Sequence, residues 1–123
     1  LTGRGFGPLR EGPVMLDQAR MMRVFLNLAD NARKAMPEGG TFTITTERQG
    51  DRLNIRVADT GSGMSEEIRK RMFEPFYSFS KMGGTGLGML IVKNVVDAHE
   101  GHIEVDSEIE KGTTFTITLP IRV

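Results

Sequence analysis

The 123-residue chain contains no cysteine, which excludes a disulfide framework and a thiolate metal site and fits a reducing compartment. It has no surplus of charge either, since 16 Lys plus Arg balance 16 Asp plus Glu. Such a chain has no global field to gather nucleic acid or an anionic membrane, so any anion site must be local. Long apolar runs are missing: none approaches the roughly 20 residues of a membrane span, and no signal-peptide pattern is present. There is no internal repeat, no low-complexity tract and no linker that would divide the chain. The expectation is therefore one domain over 1–123 with a modest core and no direct membrane insertion. The first residue is Leu1 rather than Met, which suggests a piece of something longer. Tryptophan is absent while methionine occurs eight times, so the core is adaptable.

What is present is a sequence of well-signalled elements. Residues 1–12 are rich in Gly, Arg and Pro and read as a poorly ordered lead-in, and 13–16 as a short strand. Asp17 is a good N-cap for a helix over 18–36, which the turn residues 37–40 stop. Met21, Val24, Phe25, Leu28, Ala29, Ala32, Ala35 and Met36 fall on one broad arc of that helix. Arg23, Asn27, Asp30, Asn31 and Lys34 fall on the opposite arc. A merely solvated arc is the plain alternative, yet solvated faces favour Glu, Lys and Gln. Asn is a poor interior helix former. Two asparagines four apart, with a lysine three further on, look placed for contact.

Strands are expected over 41–46 and 53–59, joined as a hairpin across 49–52, with Phe42 and Ile44 giving the first an apolar face. Ser65 with the acids after it opens a short helix. Periodicity is lost over 74–84, where exposed-looking aromatics mark disorder or a lid. A helix over 86–99 is apolar nearly all round and should be buried. A second hairpin pairs 103–105 with 115–119. Hairpins rather than crossovers make the sheet mostly antiparallel. The fold class is therefore α+β, a two-layer sandwich with about three helices on one face.

Two glycine-bearing stretches carry the chemistry. Asp59 ends its strand with the inward parity of Leu53, Ile55 and Val57, and an inward carboxylate is costly unless something hydrogen-bonds it. An ordinary Asp-Gly turn is the plain reading of that stretch alone. Asp59-Thr60-Gly61-Ser62-Gly63-Met64 is matched, further on, by Gly84-Thr85-Gly86-Leu87-Gly88. Neither stretch is a P-loop, for no lysine follows. Neither has the Gly-x-Gly-x-x-Gly spacing of dinucleotide folds.

Together the stretches resemble the ATP-binding catalytic domain of sensor histidine kinases, in the wider class that includes gyrase, the Hsp90 chaperone and MutL. Residues 25–35 resemble the N-box and Asp59 to Met64 the first glycine box. Residues 72–77 resemble the F-box and Gly84 to Gly88 the second glycine box. The likeness covers about 17–120. Met89 and Leu90, and the lid residues 78–80 that precede Lys81 where paired threonines are frequent, depart from the commonest pattern without touching a proposed ligand.

That resemblance implies ATP and Mg²⁺ as ligands. Asp59 would accept a hydrogen bond from the adenine amino group, assisted by Thr113, with Gly61, Gly63 and Met64 beside the base and ribose. Asn31 would ligate Mg²⁺, a hard ion that takes oxygen ligands. Asn27, Lys34 and Lys81 would approach the phosphates. Gly84, Thr85, Gly86, Leu87 and Gly88 would open a helix whose first amides suit phosphate. Residues 64–85 would form the ATP lid. The implied partners are a phosphoacceptor helical hairpin of a dimeric parent kinase and a response regulator, in a cytoplasmic setting, with no nucleic acid.

Three functions compete. A histidine kinase domain would deliver the γ-phosphoryl group to a histidine on the hairpin, which this chain does not contain. Its own His99 and His102 are poor acceptors. Hydrolase relatives carry a glutamate one helical turn before the magnesium asparagine, and here that position is Asn27, which is no general base at neutral pH. A non-catalytic nucleotide-gated module, such as an anti-sigma-like regulator, is opposed by the full F-box and lid.

Overall fold

The computed structural model describes residues 17–75, 77 and 87–120. The expected lead-in and short strand before Asp17, and the greater part of the irregular segment, lie outside them. Three helices and four strands follow in the order α1 (Gln18–Ala35), β1 (Phe42–Gln49), β2 (Arg52–Asp59), α2 (Glu66–Arg71), α3 (Gly88–Ala98), β3 (His102–Glu108) and β4 (Gly112–Pro120). Each of these was expected, with ends displaced by a few residues.

Helix α1 begins where Asp17 accepts the Arg20 N–H at 3.1 Å, satisfying one of the amides that a helix start leaves unpaired. Its buried residues are Met21, Val24, Phe25, Leu28 and Ala32, spaced to form one stripe. The Ser65 hydroxyl caps α2 by accepting from Ile68 N–H. Acids in the first turn of α2 and bases in its last turn both interact favourably with the helix dipole. In α3 the residues Met89, Val92, Val95 and Val96 are buried. Leu90 and Ile91 are only half-buried, so this helix is less enclosed than its composition suggests.

The strands make a sheet in the order β1-β2-β4-β3, antiparallel at every pairing among the described residues. The register aligns side chains in rows across its inner face. Ile44, Val57, Phe115 and Val105 form one row, and Thr46, Ile55, Ile117 and Ile103 the next. Arg48, Leu53 and Leu119 continue the series. The stripes of α1 and α3 join the buried residues of β2, β3 and β4, with Met64 and Met72, in one core. Removing each such large side chain from water is worth about 1.5–3 kcal/mol.

Strand β1 is the exception. Every residue in it is exposed, including Phe42 at 36% and Ile44 at 38%. Its apolar alternation is present as expected, but an edge position leaves that face largely uncovered among the described residues. At the far end of the helical layer, His99 joins α3 to α1. Its Nδ1 meets the Val95 carbonyl at 2.8 Å and its Nε2 accepts the Asp17 N–H at 3.1 Å. Those two contacts select the tautomer with the proton on Nδ1. The exposed His102 sits beside Glu104. Among the described residues, no helix is long and apolar enough to cross a membrane.

Candidate functional site

The inner rows of the sheet are apolar until the last. There the register lines up Phe42, Asp59, Thr113 and Ser107. Asp59 and Thr113 are the buried polar residues of this face, at 8% and 4% exposure. Asp59 Oδ1 accepts the Gly61 N–H at 2.8 Å, which closes the turn and fixes the carboxylate plane. No described group donates to Oδ2. That oxygen is not among the enclosed unpaired atoms of the described residues, so it stays open to a guest or a water that donates.

The loop over residues 60–64 is held from two sides. Toward α1, Ser62 N–H donates to the Ala35 carbonyl at 3.0 Å, and Thr60 exchanges hydrogen bonds with the backbone of Thr41. Toward the β3–β4 turn, Glu110 N–H donates to the Ser62 carbonyl at 2.6 Å and Met64 N–H to Ser107 Oγ at 2.8 Å. The glycines make these approaches possible. A Cβ on Gly61 would lie 2.6 Å from the Ala35 carbonyl oxygen, and one on Gly63 would lie 2.0 Å from that of Glu108. Gly63 also has φ +72°, which other residues adopt at a cost. The protein's own backbone thus accounts for both glycines, whatever else they admit. Met64 points its side chain into the core, so it offers a guest its backbone rather than its thioether.

On α1 the proposed contact residues lie as the helix period requires. Asn27 and Asn31 are half-buried, and among the described residues neither has a side-chain hydrogen bond. Asn27 Oδ1 would stand 3.1 Å from a Cβ placed on Gly88, so it borders the first residue of α3. Leu87 caps that helix without a side-chain hydrogen bond to its leading amides, which suits those amides to an anion. Lys34 is occupied differently from expectation. Its ammonium pairs with Asp30 at 3.2 Å, and Arg33 reaches the same carboxylate at 2.7 Å. The hydrogen bonds from Arg33 and then Lys34 hold the Asp30 carboxyl below the ordinary carboxylate range.

Asp59, Thr113, Gly61, Gly63 and Met64 therefore gather at one end of the sheet, and Asn27, Leu87 and Gly88 at the α1–α3 junction. Lys81, Gly84, Thr85 and Gly86 lie outside the described residues. Among the described residues no cluster of three or more His, Cys, Asp or Glu could hold a metal ion. The half-buried amide of Asn31 suits a hard ion that keeps waters and phosphate oxygens. Ser107 was missed. Its inward parity with Ile103 and Val105 was available, but its place opposite Thr113 depends on the register, which the sequence does not state.

Comparison with known proteins agrees with this fold. Residues 16–123 match the family model described as histidine kinase-, DNA gyrase B-, and HSP90-like ATPase. Sporulation kinase E of Bacillus subtilis is 40% identical over 111 residues, which are 89% of this chain and 15% of that protein. Among solved structures, the mycobacterial sensor histidine kinase MprB superposes with TM-score 0.76 at 34% identity, over 86% of this chain and 73% of that one. Full-length ShkA, solved in complex with AMPPNP, gives TM-score 0.76 at 33% identity, over 87% of this chain and 22% of that one. The chain thus spans less than a quarter of the length of Sporulation kinase E and of ShkA.

Proposed function

The chain belongs to the histidine kinase-, DNA gyrase B-, and HSP90-like ATPase family, and we propose that it presents ATP for transfer of the γ-phosphoryl group to a histidine on a separate helical hairpin. It is an ATP-binding catalytic domain of the sensor histidine kinase type. The unpaired Oδ2 of Asp59 accepts from the adenine amino group, with Thr113 beside it. Asn31 offers its amide oxygen to Mg²⁺, which when bound neutralises charge on the phosphate oxygens. Asn27 and the first amides of α3 border the phosphates. Lys34 joins them on leaving Asp30, whose carboxylate keeps Arg33. Gly84, Thr85 and Gly86 complete the phosphate site, and Lys81 supplies a charge from the lid. The lid is proposed over 64–85 within a single domain of 1–123. Its start is anchored, since Met64 and Met72 lie in the core.

The observation that carries the kinase reading is Asn27 at the junction of α1 and α3. Hydrolysis needs a base to take a proton from water, and a neutral amide supplies none. Phosphoryl transfer rests on positioning and charge neutralisation, so the nucleophile must be delivered by the partner. The partners proposed are the hairpin of a dimeric parent kinase and, downstream, a response regulator.

The test is incubation with γ-labelled ATP, with and without a histidine-bearing hairpin as a separate chain. The expected result is very slow phosphate release by the chain alone and no label on His99 or His102. Acid-labile phosphate should appear on the added hairpin, weakly, because the tether's effective concentration is lost. Rapid phosphate release by the chain alone would overturn the kinase reading.

A further inference from the structure

Ser107 lies at the end of the polar row, on the strand farthest from β1, and no role in the nucleotide site follows from the motifs. Its hydroxyl makes three contacts. It accepts from Met64 N–H at 2.8 Å, donates to the Gly112 carbonyl at 3.1 Å, and lies 2.8 Å from Thr113 Oγ1. A serine hydroxyl has one hydrogen to give and two lone pairs to receive. The Gly112 carbonyl can only accept, and the one arrangement that makes all three contacts hydrogen bonds sends the single hydrogen of Ser107 there. The Met64 amide takes one lone pair, and the other is left for Thr113. On that accounting Thr113 must be the donor in the Ser107–Thr113 bond. Its own hydrogen is then committed, and toward a guest it presents only lone pairs.

We propose that Ser107 is a positioning residue for the nucleotide base: by holding the Thr113 hydroxyl as a donor to itself, it makes the base-binding row acceptor-only. Asp59 Oδ2 and Thr113 Oγ1 then both face the guest as acceptors. Such a row suits the 6-amino group of adenine, directly or through a water that donates to both. It opposes a purine with a carbonyl at position 6, whose oxygen would meet two acceptors and no donor. Selectivity by leaving buried polar groups unpaired is the strong kind. Ser107 also fixes Met64 N–H, and so ties the loop over residues 60–64 to the start of β4. That second effect acts on any bound nucleotide alike.

The inference rests on the ATP-binding reading, and the two are separated by one set of titrations. ADP and IDP are titrated calorimetrically into the parent chain, Ser107→Ala and Ser107→Cys. The cysteine variant keeps the volume of the site and hydrogen-bonds only weakly. The parent should bind ADP at least about a hundredfold more tightly than IDP. In Ser107→Ala the Thr113 hydrogen is free to turn toward the guest. ADP affinity should fall about fivefold to tenfold, while IDP is held as well as before or better, so that the ratio contracts about tenfold. Ser107→Cys should contract the ratio by less, and it decides the matter if the alanine variant does not fold. A merely structural role would weaken both nucleotides by one factor and leave the ratio intact. That result, or an unchanged variant, overturns the proposal while the parent's ADP binding stands. A parent that binds neither nucleotide overturns the ATP-binding reading, and the role of Ser107 with it.

Discussion

The inner face of the sheet carries two kinds of row on the same strands. In the row of Thr46, Ile55, Ile117 and Ile103, Ile55 and Ile117 are wholly buried beneath the helices. Four residues along, the row of Phe42, Asp59, Thr113 and Ser107 is almost as shielded from water at its centre, yet it is polar. Strands, pleat and pairing are common to both, so neither geometry nor exposure separates them. The separation lies in hydrogen-bonding capacity: the second row keeps an acceptor, Asp59 Oδ2, to which no described group donates. A fold stabilised by the first row can hold the second because its buried polar groups are hydrogen-bonded, Asp59 to Gly61 and Thr113 to Ser107, and an open acceptor is left over for the proposed guest. The rows therefore divide the labour of stability and recognition.

The sharpest attempt to break this division is Ile117→Ala. Truncating a fully buried isoleucine should lower unfolding free energy by about 3–4 kcal/mol, read from urea denaturation. The folded fraction should bind ADP as the parent does. A comparable loss of affinity would mean that the apolar row shapes the site and that the rows are not independent.

Next in size is Asp59→Asn. The amide can still accept from Gly61 N–H through Oδ1, so the turn survives. Its NH₂ then meets the donor of the base. ADP affinity in calorimetric titration should drop about a hundredfold, with a stability change under about 1 kcal/mol. Unchanged affinity would reduce Asp59 to a turn residue, and a large loss of stability would make its row a second structural one.

The smallest expected effect lies outside both rows. Asp30 has its pKa depressed by Arg33 and Lys34, so its contribution to stability is present above the ordinary carboxylate pKa. It is lost as the pH falls through the depressed folded value. The group is exposed, and Asp30→Asn should cost less than about 0.5 kcal/mol at neutral pH. The difference between parent and variant should shrink in an acid denaturation series as the pH falls through the depressed folded value. A larger difference would give the polar arc of α1 a structural role that its exposure does not suggest.

Much of this arrangement was readable before the structure. Asp59 stood out because its parity is that of Ile55 and Val57, and a carboxylate at an inward position has to be accounted for. Asn27 and Asn31 stood out through helix period and poor propensity. The glycines could be recognised as points of close approach, but not what approaches. At Gly61 it is the end of α1, and at Gly63 the β3–β4 turn, both distant in sequence. The apolar alternation of Phe42 and Ile44 was real, yet alternation says which residues share a face and nothing of whether that face is covered. Ser107 escaped because its meaning lies in a cross-strand partner, and a shift of register by one residue would have turned it to the opposite face.

The strapping of the loop over residues 60–64 has a bearing on how the molecule folds. Its ties reach back to Ala35 and forward to Ser107 and Glu110, so the loop takes its shape only when segments separated by some seventy residues have met. Such long-range closures are slow relative to helix formation. The pocket is therefore a late product of folding, and a chain arrested before β4 has no row for the base to meet. Occupancy and global folding become one equilibrium. Nucleotide at a hundred times its dissociation constant would hold the whole domain folded by about 2.7 kcal/mol more than the empty chain.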